Sequence, residues 1–385
     1  MTHSTITIGI DLAKRSFAVC TQDHSGHILA RQELRRSAFA QWLAQLPAGT
    51  IVAMEACSSA HHWARRSLQY GLQPKLMAAQ FVKPFRKAQS SKNDRNDAEA
   101  IATAARQGNM RFVSIKTEEQ QARLSWHRVR EGYKSQALCI SNRLRGLLAE
   151  FGIAIAQGDS ALRKALGDSD IRDTLPPILL QALDHLSDHW SQVRECLHEC
   201  DRHIAAHAAQ DQRCQRVQQI TGVGVLTADA LVAHIGDGRD FHNGRQLAAW
   251  LGLVPTQHST GGKAKLGHIS RQGDSYLRTL LIQGARSSHQ RAMNMEPSKA
   301  SAEQQWIRQL AARMPFGKLL VAIANKHARQ LWAMLRRGQD YDREAWRKHP
   351  MNQAASVAQM VVSRKRPDTE QPEEKSKETS ESLNE

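Results

Sequence analysis

The sequence predicts an α/β part followed by all-α parts, and three observations support this fold class. Near the N-terminus Ile6, Ile8 and Ile10 alternate with small or polar residues, which is the period of a half-buried strand. Two heptad patterns in the middle of the chain are typical of helices that pack along each other. Helical spacing also dominates the last third. With 385 residues the chain is too long for one typical core, so we expect two or three domains and a tail.

The first quarter of the chain predicts strands, and then strands that alternate with helices. A β-meander comes first, and the later alternation indicates an α/β layer rather than a helical bundle. The expected strands are Thr5–Asp11, Phe17–Thr21, His27–Glu33, Thr50–Met54 and Pro74–Ala78. The expected helices lie around residues 39–46 and 59–70, and from residue 94 onward.

Four acidic residues stand where these elements end or begin. Asp11 and Glu55 each follow an apolar strand, and Asp94 and Asp97 lie about one turn apart on one helix face. Taken alone, an acid at a strand end is usually solvated, and the two aspartates would complement the helix dipole, with Asn93 or Asp94 as N-cap. Together the four acids can hold two divalent cations about 3.5–4 Å apart, an arrangement that drives phosphodiester attack. Carboxylates with few His or Cys residues nearby favour Mg²⁺, or Mn²⁺, over zinc.

The composition indicates a polyanionic partner. The formal net charge of +16 makes nucleic acid the expected partner, with an anionic membrane surface as an alternative. No stretch approaches the roughly 18 apolar residues that span a bilayer, and no apolar segment follows a charged N-terminal region, so we expect a cytoplasmic protein. The six cysteines include no Cys-x-x-Cys pair, which favours reduced thiols over a disulfide framework.

The middle of the chain, residues 118–215, predicts two long helices. Both carry heptad seams, so we expect a coiled-coil helical hairpin, or two arms that pair between subunits. Cys196, Cys200, His203 and His207 have the residue types of a zinc site, but they span about 16 Å of one helix, too far for one tetrahedral ion. We therefore expect them to pack in the seam. The seam residues are Trp126, Tyr133, Ala137, Ile140, Leu144, Leu147 and Phe151, and then Leu179, Leu183, Leu186, Trp190, Val193, Leu197, Cys200, Ile204 and His207.

Two features of the chain after residue 216 indicate contact with nucleic acid. Gly222 and Gly224 form a Gly-x-Gly turn before a helix, which resembles a helix-hairpin-helix element and lets backbone amides approach a phosphate. A tight structural turn would have the same sequence. Gln257–Asp274 has the composition of a flexible basic loop and contains Ser259 and Thr260. Composition alone does not single out either hydroxyl as a nucleophile.

In combination, these motifs resemble those of the DEDD insertion-sequence transposases. The four acids match the acidic positions of that family's RuvC-like module, which has a ribonuclease-H fold, and the basic stretch matches its serine-bearing C-terminal module. The acids lie in Ile8-Gly9-Ile10-Asp11, Met54-Glu55-Ala56 and Lys92-Asn93-Asp94-Arg95-Asn96-Asp97-Ala98. The C-terminal signatures are Gly252-Leu253-Val254-Pro255, Ser259-Thr260-Gly261-Gly262-Lys263, Ile269-Ser270-Arg271-Gln272-Gly273-Asp274 and Leu277-Arg278. The resemblance covers residues 5–340, nearly all of the chain that we expect to fold.

The resemblance implies a reaction and a set of partners. It implies a bacterial, nucleoid-associated recombinase that cuts and rejoins donor and target DNA, guided by a noncoding RNA from its element. It also implies a homo-oligomer, a dimer that becomes a tetramer in the synaptic complex. Two Mg²⁺ ions, or Mn²⁺, would bind the four acids. Ser259 would be the nucleophile, although some relatives place the serine where this chain has Thr260.

The basic residues around the serine are the expected phosphate contacts, or else a solvated basic loop. They are Lys263, Lys265, Arg271 and Arg278.

Two other functions remain open. One is a metal-dependent junction nuclease, in which water attacks the phosphate and Ser259 only binds. The other is a non-catalytic nucleic-acid-binding protein, against which the four intact acids argue. The expected domains are a RuvC-like domain (1–115), a helical coiled-coil spacer (116–215), a serine-bearing domain (216–345) and a tail (346–385) that is disordered from about residue 364.

Overall fold

The structure is a computed structural model that describes residues 6–86, 94–260 and 263–343. The side chains of residues 94–95, 258, 260 and 263–264 lie outside the description, as does the predicted tail. The chain divides into two compact units: Met1–Cys214 with Ala228–His242, and Gln215–Thr227 with Asn243–Glu385.

The first unit contains a mixed sheet. Among the described residues its strands are β1 (Thr7–Leu12), β2 (Ser16–Gln22), β3 (Ile28–Arg35), β4 (Ile51–Glu55), β5 (Gln73–Met77) and β6 (Phe112–Val113). Their order across the sheet is β3-β2-β1-β4-β5-β6. β4 is parallel to both β1 and β5, whereas the other neighbours are antiparallel. The α/β layer predicted from alternating strands and helices is therefore present.

Period-two alternation divides the strand side chains between the two faces of this sheet. Ile8 and Ile10 share one core with Met54 of β4. Aromatic rings from two helices close this core, and the ring centroids of Phe39 and Trp63 lie 4.7 Å apart in an edge-to-face arrangement. The helices of this region are α1 (Arg36–Ala44), α2 (Ala60–Gln69), α3 (Ala79–Val82) and α4 (Asp94–Ala105).

Helix α4 covers the opposite face of the sheet. Its small side chains, such as Ala100, pack with Ile101 against Ala53 of β4. The approach is closest at Gly9 of β1, where an added Cβ would lie 2.8 Å from the Cβ of Ala102. The alanine-rich sequence of α4 and the glycine in β1 together let a helix backbone lie directly on a strand.

The two long helices predicted from the heptads lie side by side. Trp126 stacks on His203 with ring centroids 4.1 Å apart, and Arg130 Nε donates a hydrogen bond to Asp201 at 2.6 Å, so the helices run antiparallel. Phe151 continues the heptad pattern but lies beyond the end of the first helix and is exposed. The helices here are α5 (Glu118–Ala149), α6 (Asp159–Leu166), α7 (Ser169–Asp173) and α8 (Pro177–Gln210), followed by α9 (Gln212–Val217) and α10 (Val225–Ile235).

The second unit is mostly helical in its described part. It contains α11 (Gly244–Trp250), β7 (Pro255–Thr260), β8 (Lys263–Ile269), α12 (Ser275–Asn294), α13 (Ala302–Ala311) and α14 (Phe316–Arg337). The prediction of a flexible loop over Gln257–Asp274 is wrong for the part up to Ile269, because β7 and β8 pair as an antiparallel hairpin. The two glycines between the strands are a hairpin signal that the basic composition obscures. Within the described ranges, every helix is too short or too polar to span a bilayer.

Candidate active site

Asp11 and Glu55 stand at neighbouring ends of two parallel strands. Ile10 of β1 pairs with Met54 of β4, so the two acids are the next residues along, and adjacent strands lie about 4.8 Å apart. Both acids are half-buried. Although the Cys57 side chain is exposed, partial desolvation and then the charges of Asp11 and Glu55 raise the pKa of its thiol. The structure thus brings these two predicted site residues together.

Asp97 on α4 joins this pair through an arginine. Arg86 Nη2 donates a hydrogen bond to Glu55 Oε1 at 3.1 Å, and Arg86 Nε lies 3.0 Å from Asp97 Oδ1 as an ion pair. The Glu55 and Asp97 side chains are 16% and 12% exposed. One guanidinium therefore neutralises two largely buried carboxylates from different elements.

Sequence reasoning missed the role of Arg86. The residue directly follows the 3-10 helix Lys83–Phe85, inside a lysine- and arginine-rich stretch that reads as solvated surface. The sequence shows that a basic residue lies near two predicted acids. It does not show that the turn before Arg86 directs this side chain toward them, because composition does not determine the turn.

The fourth predicted acid, Asp94, begins α4 three residues before Asp97. Its side chain lies outside the described residues, so its participation stays a prediction. Glu99, on the same helix, is buried and pairs with Arg31 of β3. Two acids of α4 therefore have different partners. Asp97 pairs with Arg86, which also contacts Glu55, and Glu99 pairs with Arg31 on the edge strand β3.

The donor atoms at this place suit a hard cation. In the part of the chain that the structure describes, no three His, Cys, Asp or Glu side chains are gathered closely enough to hold an ion. Glu55 and Asp97 are arranged around a guanidinium at 3.1 and 3.0 Å instead. Carboxylate oxygens are ligands that Mg²⁺ prefers. The residues fit a magnesium site chemically, and a positive group already lies between two of them.

Ser259 lies on strand β7 of the second unit, opposite Ala264 of β8. Its side chain is exposed, and Gln257 Nε2 donates a hydrogen bond to Ser259 Oγ at 2.7 Å. An amide N–H cannot remove the hydroxyl proton, so Gln257 orients the hydroxyl and is not its base. Thr260, the alternative nucleophile, is the next residue of β7, and its side chain lies outside the described residues.

The base of this hairpin is held by Arg278, one of the predicted phosphate contacts. Its Nη1 donates hydrogen bonds to the carbonyl oxygens of Leu251 at 3.0 Å and Gln272 at 2.9 Å. These residues flank the hairpin on its two sides, and Gly252 between them has no space for a Cβ. Arg278 therefore has a structural role within the chain, and phosphate contact by this residue stays a prediction.

The other predicted basic contacts are placed differently. Lys265 of β8 is exposed. Arg271 is exposed too and has a left-handed backbone, with φ of 53°, which is uncommon for a residue with a side chain. The Lys263 side chain lies outside the described residues. Lys265 and Arg271 are thus accessible to a phosphate.

The two glycines of the Gly-x-Gly turn differ in their surroundings. Gly222 has φ of 87°, and an added Cβ would meet the carbonyl oxygen of Gly284 and the hydroxyl of Ser288 on α12. Close packing against α12 therefore explains why residue 222 is glycine. Among the described residues, no atom lies within 4 Å of a Cβ at Gly224. Of the two, Gly224 keeps the open backbone that a phosphate contact needs.

Sequence reasoning also missed a buried ionic network in the first unit. Asp229 on α10 accepts hydrogen bonds from Arg123 Nε at 3.0 Å and contacts His127 Nε2 at 2.9 Å. Arg123 also donates to Asp211 at 2.8 Å. Burial alone would raise the pKa of Asp229, but the hydrogen bonds from His127 and Arg123 outweigh burial and lower it. An aspartate in an otherwise apolar helical run was the only sequence signal for this network.

Comparison with known proteins gives two matches to family models. Residues 8–153 match the model of DEDD transposases of the IS110 type. Residues 214–301 match a model described as transposase of the IS116/IS110/IS902 family. The acids lie in the first match and Ser259 in the second.

Three curated relatives align with most of the chain. A family 20 transposase of Pseudomonas aeruginosa is 43% identical over 86% of this chain and 96% of its own length. The transposase for insertion sequence element IS1328 of Yersinia enterocolitica is 39% identical, over 86% of this chain and 97% of its own. The transposase for element IS1111A of Coxiella burnetii is 37% identical, over 87% and 90%.

Proposed function

The chain belongs to the IS110 family of transposases, and we propose that it cuts DNA at a metal-dependent acidic site and rejoins it through Ser259. One observation supports the acidic site above the others. Glu55 and Asp97 come from different elements and share one guanidinium, while Asp11 is the neighbour of Glu55 on the adjacent strand. Carboxylates that converge at the ends of two central strands could hold the divalent ions of a metal-dependent nuclease.

The DEDD family implies a divalent metal. We assign Asp11, Glu55, Asp94 and Asp97 as the residues that would hold it, and we propose two Mg²⁺ ions, or Mn²⁺, because all donors are carboxylate oxygens. When bound, the metal would polarise the scissile phosphate and stabilise the leaving oxygen. The protein's part is to hold the oxygens in place, and strand ends and a docked helix are rigid supports for this.

Ser259 would act as the nucleophile. Its Oγ attacks phosphorus, an Oγ–P bond forms as the P–O bond to the DNA strand breaks, the hydroxyl proton is released, and the leaving oxygen takes up a proton. The phosphoserine link keeps the bond energy for the rejoining step. The exposed position of Ser259 and the hydrogen bond from Gln257 support this role, because a DNA phosphate could reach an oriented hydroxyl there.

Basic residues on the hairpin would bind the DNA backbone. Lys265 and Arg271 are exposed and supply the charge, Lys263 lies at the hairpin end by sequence, and the open backbone at Gly224 precedes a helix N-terminus. Arg278 would contribute indirectly by fixing the hairpin. The ribonuclease-H-like fold, the coiled-coil spacer and the helix-hairpin-helix-like turn are parts of the same proposal.

A noncoding RNA of the element would choose the DNA by base pairing, and the enzyme would work as a homo-oligomer, a dimer and then a synaptic tetramer. This proposal comes from the family resemblance, and the charge of +16 agrees with a large nucleic-acid partner. Purification of the protein from cells that carry the flanking element, followed by sequencing of bound RNA, tests it. One enriched element-derived RNA is expected, and random cellular RNA would contradict it.

The reaction itself is tested by trapping the covalent protein–DNA adduct. We expect an adduct in the wild type, none in Ser259→Ala, and an undiminished adduct in Thr260→Ala. An adduct that is kept in Ser259→Ala and lost in Thr260→Ala would identify Thr260 as the nucleophile. Asp97→Ala should abolish both cutting and the adduct while the chain still binds DNA.

The same assay separates the competing functions. Free hydrolysed DNA ends made by Ser259→Ala at the wild-type rate would favour a junction nuclease in which water attacks. Recombination that is unchanged in Asp11→Ala would favour a protein that only binds nucleic acid. Either outcome would contradict the covalent mechanism.

A further inference from the structure

We propose that Arg86 is the resident counter-cation of the acidic site: its guanidinium neutralises Glu55 and Asp97 in the metal-free protein and is displaced when a divalent ion binds. The inference deepens the proposed function and rests on it in one respect, that these acids form the metal site.

The acids need a positive group before metal arrives. Glu55 and Asp97 are 16% and 12% exposed, and Asp11 stands beside Glu55. Carboxylates that are crowded and partly desolvated repel one another. A guanidinium between them removes this penalty because it offers positive charge to both sides at once. Arg86 occupies that position at 3.1 Å from Glu55 and 3.0 Å from Asp97.

The geometry of the two contacts favours release. Each contact joins one nitrogen to one oxygen, whereas the strongest arginine–carboxylate pairs are bidentate. The Nε atom is near Asp97 but is not aligned for a hydrogen bond. The Arg86 side chain is also 34% exposed, so it has a route into solvent.

Arg123 shows what a permanently held arginine looks like in the same unit. Its side chain is 6% exposed, and its guanidinium donates to Asp229, Asp211 and the Cys214 sulfur. Taking it out would leave several buried groups unpaired. Among the described residues, the ion-pair partners of Arg86 are Glu55 and Asp97, which are themselves candidate metal ligands, so a cation of higher charge density can take its place.

The proposal is tested by measuring Mn²⁺ binding to the full-length protein without nucleic acid, by calorimetry or by the spin resonance of free Mn²⁺. Arg86→Gln should bind Mn²⁺ about tenfold more tightly than wild type, or more, because a competing unit charge a few Å away is gone. Arg86→Lys keeps the charge and should stay within a few-fold of wild type. Arg66→Gln, which removes an arginine of α2, is the matched control and should not change the affinity.

A second measurement guards against loss of folding. In EDTA, Arg86→Gln should melt at a lower temperature than wild type, because Glu55 and Asp97 lose their partner, and Mn²⁺ should raise its melting temperature more than that of the wild type. Equal or weaker Mn²⁺ binding by folded Arg86→Gln overturns the proposal. So does an equal rise in melting temperature for both proteins.

The variant Asp97→Asn separates this inference from the proposed function. If Asp97→Asn abolishes Mn²⁺ binding while Arg86→Gln leaves it unchanged, the acidic metal site stands and the role of Arg86 is refuted. If Asp97→Asn binds Mn²⁺ like the wild type, the assignment of the metal site fails, and the inference fails with it.

Discussion

Gly9 of β1 lies against Ala98 of α4, with no space for a side chain between them. An added Cβ at Gly9 would lie 2.8 Å from the Cβ of Ala102 and still closer to the Ala98 carbonyl oxygen. Asp11 is two residues beyond Gly9, and Asp97 immediately precedes Ala98. The contact between Gly9 and Ala98 therefore sets the spacing between a strand acid and a helix acid.

Gly9→Ala should damage the acidic site without touching an acid. The extra methyl group must push α4 off the sheet, and overpacking of this kind costs about 1–3 kcal/mol of stability. A shift near 1 Å in a catalytic group can lower the rate about 10²-fold. Thermal unfolding and the adduct assay measure the two effects.

Gly132→Ala provides the control for this substitution. Gly132 lies within α5, and in the part of the chain that the structure describes no atom is within 4 Å of an added Cβ. Alanine is the better helix former by about 1 kcal/mol, so this variant should be as stable as the wild type or more so, with normal activity. If Gly9→Ala has the melting temperature and the DNA-cutting activity of the wild type, α4 can shift without loss of stability or activity, and this prediction is wrong.

Arg278→Ala should loosen the hairpin that carries Ser259 rather than remove a DNA contact. Arg278 holds the carbonyl oxygens of Leu251 and Gln272, so its loss should speed hydrogen exchange of the β7 and β8 amides and reduce the serine adduct. Arg278→Lys should restore part of the adduct, since one ammonium can reach one of the two carbonyls.

The salt dependence of DNA binding distinguishes a residue that contacts phosphate, as proposed for Lys265, from one that positions the hairpin, as proposed for Arg278. Lys265→Ala, which removes an exposed charge, should lower the slope of log affinity against log salt by about 1. Arg278→Ala should leave that slope unchanged. An equal drop in both variants would make Arg278 a phosphate ligand after all.

The two glycines of the Gly-x-Gly turn should separate folding from binding. Gly222→Ala places a methyl group against the Gly284 backbone at a positive φ, and should lower stability by more than about 1 kcal/mol. Gly224→Ala enters open space, and should melt like the wild type but bind DNA more weakly. Normal DNA affinity in Gly224→Ala would remove this turn from the interface.

His61 should make the first unit sensitive to mild acid. Burial, and then the charges of Lys116, Arg65 and Arg128, lower its pKa to about 4, and its Nδ1 accepts a hydrogen bond from the Lys116 backbone amide. An unfolded histidine has a pKa of about 6.5. The neutral ring therefore stabilises the fold above about pH 6.5, and this stability is lost as the pH falls toward 4.

Melting temperatures between pH 7 and pH 4.5 measure this effect. The wild type should lose stability over that interval, and His61→Gln should lose less, because glutamine can still accept the hydrogen bond without titrating. The exposed residue His185 gives the control, and His185→Gln should follow the wild-type profile. Parallel profiles for wild type and His61→Gln would exclude this histidine as the cause.

The acid positions are predictable because they depend on local periodicity. Alternation places Asp11 and Glu55 at strand ends, and a spacing of three places Asp94 and Asp97 on one helix face. Arg86 is not predictable in the same way. Its partners depend on the turn at Lys83–Phe85, and a basic run carries no periodic signal that would show which side chain turns inward.

The hairpin and the buried network fail as predictions for related reasons. β7 and β8 have few apolar residues, so alternation gives no strand pattern, and pairing is determined by backbone hydrogen bonds to a partner strand. Arg123 and Asp229 are far apart in sequence, and nothing local to either residue indicates that they meet.

The docking of α4 on β1 has a consequence for the folding of the protein during its synthesis. The ribosome releases the first strand well before α4 has been synthesised, so a growing chain carries Asp11 and Glu55 for a time without Asp97. Translation that stops before α4 yields fragments with only half of the acid cluster, and the cluster can be completed only after α4 has been synthesised.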